Sequence, residues 1–254
     1  MNMTDVLEGL SCLSFRTLAL AMRKPSELRS YVSYCLKRYD ELAGNGLRSR
    51  SPVVPDDTET ITLPASHTGG GMSFGELVIL ARTTKTRKPN AIFEMGSYDG
   101  LTTAVFILNA PPGARIVSLD LPEDTPAGHV DLESDKTLVA ARTLGAVPRA
   151  LGLDQYTQLL CDTMAFDPTP YLDSIDLGLV DAAHDREHAR NDTIKMAKMM
   201  NAEGIVFWHD YGGKGVLRGL AAYLDSIAKQ CPIYRIPETS LAWAYSKDLK
   251  QARL

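Results

Sequence analysis

From about residue 90 onward the chain repeats one alternation: a short apolar run, a turn carrying glycine or aspartate, then a longer stretch of helical character. The apolar runs are AIFEMG (91–96), RIVSLDL (115–121), YTQLLCD (156–162), IDLGLVDA (175–182) and GIVFWHDY (204–211). Between them Leu101–Asn109, Leu132–Leu144, Arg186–Met200 and Gly215–Lys229 read as helices. Strands separated by helices predict a parallel sheet covered on both faces. Two further strands, PIYRIP (232–237) and LAWAYS (241–246), stand too close together for a parallel crossover, so they predict an antiparallel hairpin. The expected fold is α/β: a doubly wound, seven-stranded, mostly parallel sheet that ends in a hairpin.

Ahead of this region, residues 4–43 read as helix, with Leu7, Leu10, Leu13, Leu18 and Leu20 on an apolar face and Pro25 dividing the segment. Pro25-Ser26-Glu27 resembles a helix start and Gly44 a stop. Asn45–Asp57, with its glycine, serines and prolines, predicts a linker. Ser73 and Glu76 have capping-box spacing and open a helix expected over Ser73–Thr84, after a loop containing Gly69, Gly70 and Gly71. The expected division is an N-terminal helical extension and linker, residues 1–60, and a ligand-binding domain, residues 61–254. The extension is placed as an acceptor lid or as the surface of a homo-oligomer.

Composition narrows the partners. The 254 residues are 44% hydrophobic and 23% charged, an ordinary globular balance, and the net charge of -4 gives no reason to expect a nucleic-acid partner. Cys12, Cys35, Cys161 and Cys231 are scattered without zinc or redox spacing, which suits a reduced compartment. The apolar segment LSFRTLALAM is too short to span a bilayer and carries Arg16. A soluble, cytoplasmic protein with no membrane partner is expected.

The turn after the first strand of the alternation reads Gly96-Ser97-Tyr98-Asp99-Gly100. A dinucleotide fingerprint would place its second glycine where Tyr98 stands. Tyr98 hinders the close approach of a pyrophosphate, and Glu94 just before the turn would repel one. A carboxylate there suits an ammonium or amide N–H instead. Asp120 ends the next strand, where a carboxylate can take both hydroxyls of a ribose. Asp162, followed by Thr163, ends the third, where it can accept the exocyclic amine of adenine. All lie at the carboxyl edge, where open sheets bind ligands.

With those residues in place the sequence resembles the class I S-adenosylmethionine-dependent methyltransferases over roughly residues 73–246. The resemblance implies that the turn residues Glu94, Gly96, Ser97, Tyr98 and Gly100 face the methionine part of S-adenosylmethionine. It implies Asp120 for the ribose, and Asp162 with Thr163 for adenine. A nicotinamide-dependent oxidoreductase is the alternative from another class, and a non-catalytic S-adenosylmethionine-binding protein a third.

The fourth and fifth strand ends, LVDAAHDREH and VFWHDYGG, bring more chemistry to the same edge. Neighbouring strands are ~5 Å apart, so Asp181, His209 and Asp210 can share one divalent cation, Mg²⁺ or a softer ion that histidine favours. This string resembles a branch of the same superfamily that includes macrolide-sugar O-methyltransferases and cephalosporin-hydroxylase-like proteins. That resemblance implies Asp181 and Asp210 as metal ligands and His184 as general base, acting on a small-molecule hydroxyl. Arg186 and His209 depart from the branch pattern. Coordination would acidify the hydroxyl and histidine would take its proton, with alignment on the methyl sulfonium supplying much of the rate.

Overall fold

The computed structural model of the chain describes residues 47–50, 52, 60–65, 71–126, 133–212, 218–252 and 254. The helices expected over residues 4–43 lie outside the described residues, as do Gly69 and Gly70 of the glycine loop. The described residues belong to one compact unit, Leu47–Leu254.

Its strands are β1 (Arg48–Ser49), β2 (Ala91–Met95), β3 (Arg115–Asp120), β4 (Thr157–Leu160), β5 (Ile175–Val180), β6 (Met200–Trp208), β7 (Tyr234–Arg235) and β8 (Ala242–Tyr245). Its helices are α1 (Phe74–Arg87), α2 (Leu101–Asn109), α3 (Glu133–Ala141), α4 (Ala146–Ala150), α5 (Arg186–Met199), α6 (Arg218–Ile227) and α7 (Ser246–Leu249). All five positions of β2 are buried, and so are five of the six in β5. That explains their almost unbroken apolar sequence: strands covered on both faces have no solvent side.

The strands form one sheet in the order β1-β7-β8-β6-β5-β2-β3-β4. Only β8 runs against its neighbours β6 and β7. The seven expected strands and their terminal hairpin are therefore present, with the two-residue β1 added at one edge. Arg48 and Ser49 pair with Tyr234 and Arg235, although two residues in a linker-like stretch carry no strand pattern of their own. Two apolar layers cover the sheet. Phe93, Met95, Val206 and Trp208 point into one layer; Ile92, Leu177, Phe207 and Trp243 point into the other.

Element boundaries follow local chemistry. Ser73 Oγ accepts from the Glu76 amide at 3.4 Å, and Glu76 Oε2 accepts from the Ser73 amide at 2.7 Å, so the expected capping box forms. The helix runs one turn beyond Thr84 and stops where Lys88 turns left-handed, φ 50°. Helix α5 is capped by Asp185, whose Oδ1 accepts from the amides of Glu187 and His188 at 2.9 and 3.0 Å. The short α4 and α7 carry too little periodicity to be read from sequence.

The chain leaves β2 for β3 and β4 on one side, then returns to lay β5 on the other side of β2. The crevice between the carboxyl ends of β2 and β5 is the switch point at which such sheets bind ligands.

Candidate active site

The turn after β2 is shaped by backbone constraint. Gly96 has φ +89°, and a Cβ on it would lie 2.0 Å from the Asp181 carbonyl oxygen at the end of β5. Only glycine lets the two strand ends approach this closely. Tyr98 is left-handed at φ 52°, and Gly100, φ +85°, stands at the N-cap of α2.

Asp120 organises this turn. Its Oδ2 accepts from the amides of Ser97 and Tyr98, each at 2.8 Å, and from Ser97 Oγ at 3.3 Å. Its Oδ1 accepts from the Leu121 amide at 2.7 Å. The carboxylate thus ties the end of β3 to the turn after β2.

A cavity of about 260 Å³ opens beside it. Of the expected cofactor residues, Gly96, Tyr98, Asp120, Asp162 and Thr163 line it. Asp162 Oδ1 accepts from the Met164 amide at 2.8 Å, which closes a turn after β4. The Thr163 carbonyl accepts from Asn191 Nδ2 and Lys195 Nζ of α5, at 3.0 and 2.6 Å.

Glu94, Ser97 and Gly100 stand behind the cavity wall instead. Glu94 is fully buried, and its carboxylate accepts from the hydroxyls of Thr102, Thr103 and Ser118. Burial pushes the Glu94 pKa up to about 7, against the opposing effect of the hydroxyls. Ser97 is spent on Asp120, and Gly100 packs against Pro148. These three build the turn and are not among the residues that line the cavity.

The second constellation shares the cavity. Asp181 follows β5, and its amide donates to the Met95 carbonyl at 2.7 Å. His209 and Asp210 follow β6, with Asp210 held left-handed at φ 60°. His184 Nε2 lies 2.9 Å from Asp210 Oδ2 and 3.9 Å from Asp181 Oδ1. Ligand atoms of Asp181, His184 and Asp210 all fall within 4.8 Å of one another, so these three fit a cation.

His209 stands beside that group. Its Nδ1 faces Asp181 Oδ1 at 3.0 Å and Asp210 Oδ2 at 3.5 Å, while Nε2 faces Glu76 Oε2 at 3.5 Å. Burial alone would favour the neutral ring. The charge and hydrogen bond of Asp181, followed by Glu76 and Asp210, instead raise its pKa well above the usual histidine value. For Asp181, burial works against ionisation, but the charges and hydrogen bonds of His209 and His184 together outweigh it, and its pKa lies below the usual range.

Two residues near the site, Glu76 and Arg142, escaped sequence reasoning. Glu76 is buried and reaches across the fold: its Oε1 accepts from the amide and hydroxyl of Ser240, both at 2.7 Å. Burial opposes its ionisation, yet the His209 bond and charge, with Ser240 and Ser73, hold it well below the carboxylate norm. The capping box signals Glu76 locally, but nothing local signals partners 133 and 164 positions away. Arg142 lines the cavity just beyond α3 without any motif around it. His188 also lines it, its Nδ1 2.6 Å from Asp185 Oδ2.

A doubly wound sheet closed by an antiparallel hairpin, with acidic strand ends around a switch-point cavity, is the Rossmann-like fold seen in solved methyltransferases. Residues 93–211 match a family model described as a methyltransferase domain. Solved structures with the same fold include SAH-bound PaMTH1 of Podospora anserina, at 16% identity and TM-score 0.51, over 67% of this chain and 77% of that one. An O-methyltransferase from Bacillus cereus in complex with SAH aligns at 12% identity and TM-score 0.51, over 70% and 84%. A putative caffeoyl-CoA O-methyltransferase from Staphylococcus aureus aligns at 12% and 0.53, over 69% and 85%. No curated protein matches the chain in sequence. Residues 93–211 thus match a methyltransferase domain, carried on a fold that these solved structures share. Among the described residues no helix is long and apolar enough to cross a membrane.

Proposed function

We propose that the protein transfers the methyl group of S-adenosylmethionine to a hydroxyl of a small-molecule acceptor, with His184 as the general base. The observation that carries this reading is the His184–Asp210 pair, 2.9 Å apart in the wall of the cofactor cavity. A carboxylate against one ring nitrogen orients the imidazole. The cofactor supplies an already activated methyl on a sulfonium. The chain's own residues then bind and align: Asp120 and Asp162 hold the adenosine end, and the turn at Gly96–Tyr98 borders the other. His184 takes the acceptor proton as oxygen meets the methyl carbon, and Asp210 stabilises the imidazolium. Asp181 and Asp210 keep negative charge beside the ring in both states.

A metal-assisted version is supported by the close grouping of Asp181, His184 and Asp210. These three would hold a divalent cation such as Mg²⁺, whose Lewis acidity would lower the hydroxyl pKa. In that version His184 is a ligand, and His209 stays outside as a charged support. Transfer of a labelled methyl group to a panel of hydroxyl acceptors, with and without EDTA, separates the two. Turnover that survives EDTA supports the His184 base. Turnover restored only by added cation supports the metal. Methylation confined to amine or carbon acceptors would overturn the assignment.

A further inference from the structure

The hydrogen-bond capacity of Asp120 is too small for the role expected of it. A carboxylate oxygen accepts about two hydrogen bonds. Oδ2 is filled by the Ser97 and Tyr98 amides at 2.8 Å, with Ser97 Oγ at 3.3 Å as a third, longer contact. Oδ1 already accepts from Leu121 at 2.7 Å and has room for one more donor. A ribose diol offers two hydroxyls side by side. Asp120 can receive one, and the second needs another partner.

Arg142 stands where that partner is needed. Its side chain is only 3% exposed, and it lines the same cavity. Nη2 donates to the carbonyls of Leu121 and Pro122, both at 2.9 Å, which fixes the plane of the guanidinium. Nε is buried without a hydrogen-bond partner and lies 3.7 Å from Asp120 Oδ1. An acceptor oxygen placed beside Oδ1 would satisfy it.

We propose that Arg142 is a ribose-binding residue: its Nε–H donates to one hydroxyl oxygen of the diol while the other hydroxyl donates to Asp120 Oδ1. A donor and an acceptor then read the diol together. The inference rests on S-adenosylmethionine as the ligand of this cavity.

The test is calorimetric titration with S-adenosylhomocysteine and with its 2′-deoxy and 3′-deoxy analogues. Wild type should bind at least one analogue about tenfold more weakly than the parent, the size of a charge-assisted hydrogen bond. Arg142→Met should weaken the parent about tenfold and remove the discrimination against one of the two analogues, the one lacking the hydroxyl that Nε serves, while the share supplied by Asp120 stays. Arg142→Lys keeps the charge without the fixed fork, and should also lose discrimination if the methionine variant folds poorly. An arginine that merely props the 121–122 loop gives a different result. The variants would then weaken all three ligands equally and keep the discrimination, which overturns the proposal. Equal binding of all three by wild type also overturns it. No binding of any by wild type would instead sink the S-adenosylmethionine reading itself.

Discussion

His209 Nδ1 lies 3.0 Å from Asp181 Oδ1, joining the carboxyl ends of β6 and β5 through a buried ion pair. Glu76 faces the other ring nitrogen from α1, and also holds Ser240 in the β7–β8 connection. One imidazolium therefore fixes three parts of the fold around the cavity. The cation binds two carboxylates that could not otherwise stay ionised at this depth.

Removing the imidazolium should cost more than a contact. His209→Asn leaves Asp181 and Glu76 without their cation, and the expected loss is about 3 kcal/mol, within the usual range for breaking a buried pair. Urea midpoints measure it. Adding Glu76→Gln to His209→Asn should cost less than the sum of the two single changes.

The pH dependence of this triad has a definite sign. His209 has a raised folded pKa, so its contribution is fully present below the unfolded value of 6.5 and fades as pH rises through the folded value. Glu76 and Asp181 have lowered pKa values, so theirs is present above the unfolded values of 4.5 and 3.8 and fades on acidification. The stability gap between wild type and His209→Asn should therefore be widest near pH 5–6.5 and shrink on both sides. A gap that stays constant across the range would count against the charged triad.

Glu94 has the opposite sign for a carboxylate. Its pKa rises from 4.5 to about 7, so the wild type loses stability as pH climbs through that interval. Glu94→Gln removes the titration. Between pH 4.5 and pH 8 the variant should gain about 3 kcal/mol relative to wild type, read from urea unfolding at each pH.

Gly96 admits no side chain. Gly96→Ala would set a methyl 2.0 Å from the Asp181 carbonyl at φ +89°. Strain and displacement of β5 should together cost about 3 kcal/mol or more, and cofactor affinity should fall with the turn's geometry. Thermal unfolding and ligand titration on the same sample check both parts.

Much of this was legible in the sequence, and the remainder failed for identifiable reasons. The apolar runs that became β2, β5 and β6 are buried on both faces, so composition alone marked them. Arg48–Ser49 joined the sheet through pairing that two residues cannot advertise. Strand-end acids could be placed at one edge because topology dictates that edge. Which way a side chain turns is decided by neighbours distant in sequence. Glu94 turned toward Thr102, Thr103 and Ser118, and His209 toward Asp181 and Glu76, partners that no local pattern names. Arg142 had no motif at all; only the filled oxygen of Asp120 draws attention to it.

His184 should separate chemistry from binding. His184→Ala should lower kcat by about 10²–10⁴, the usual contribution of a general base, while affinity for S-adenosylhomocysteine changes little. Asp210→Asn should lower kcat less, since the imidazole loses the carboxylate that orients it. Unchanged turnover in His184→Ala would remove its role.

The most direct test of the central claim is calorimetric titration of the purified protein with S-adenosylhomocysteine. The arrangement of Gly96, Asp120 and Asp162 predicts one-to-one binding in the micromolar range that is lost in Asp120→Ala. Absence of binding, or binding indifferent to Asp120, would contradict it.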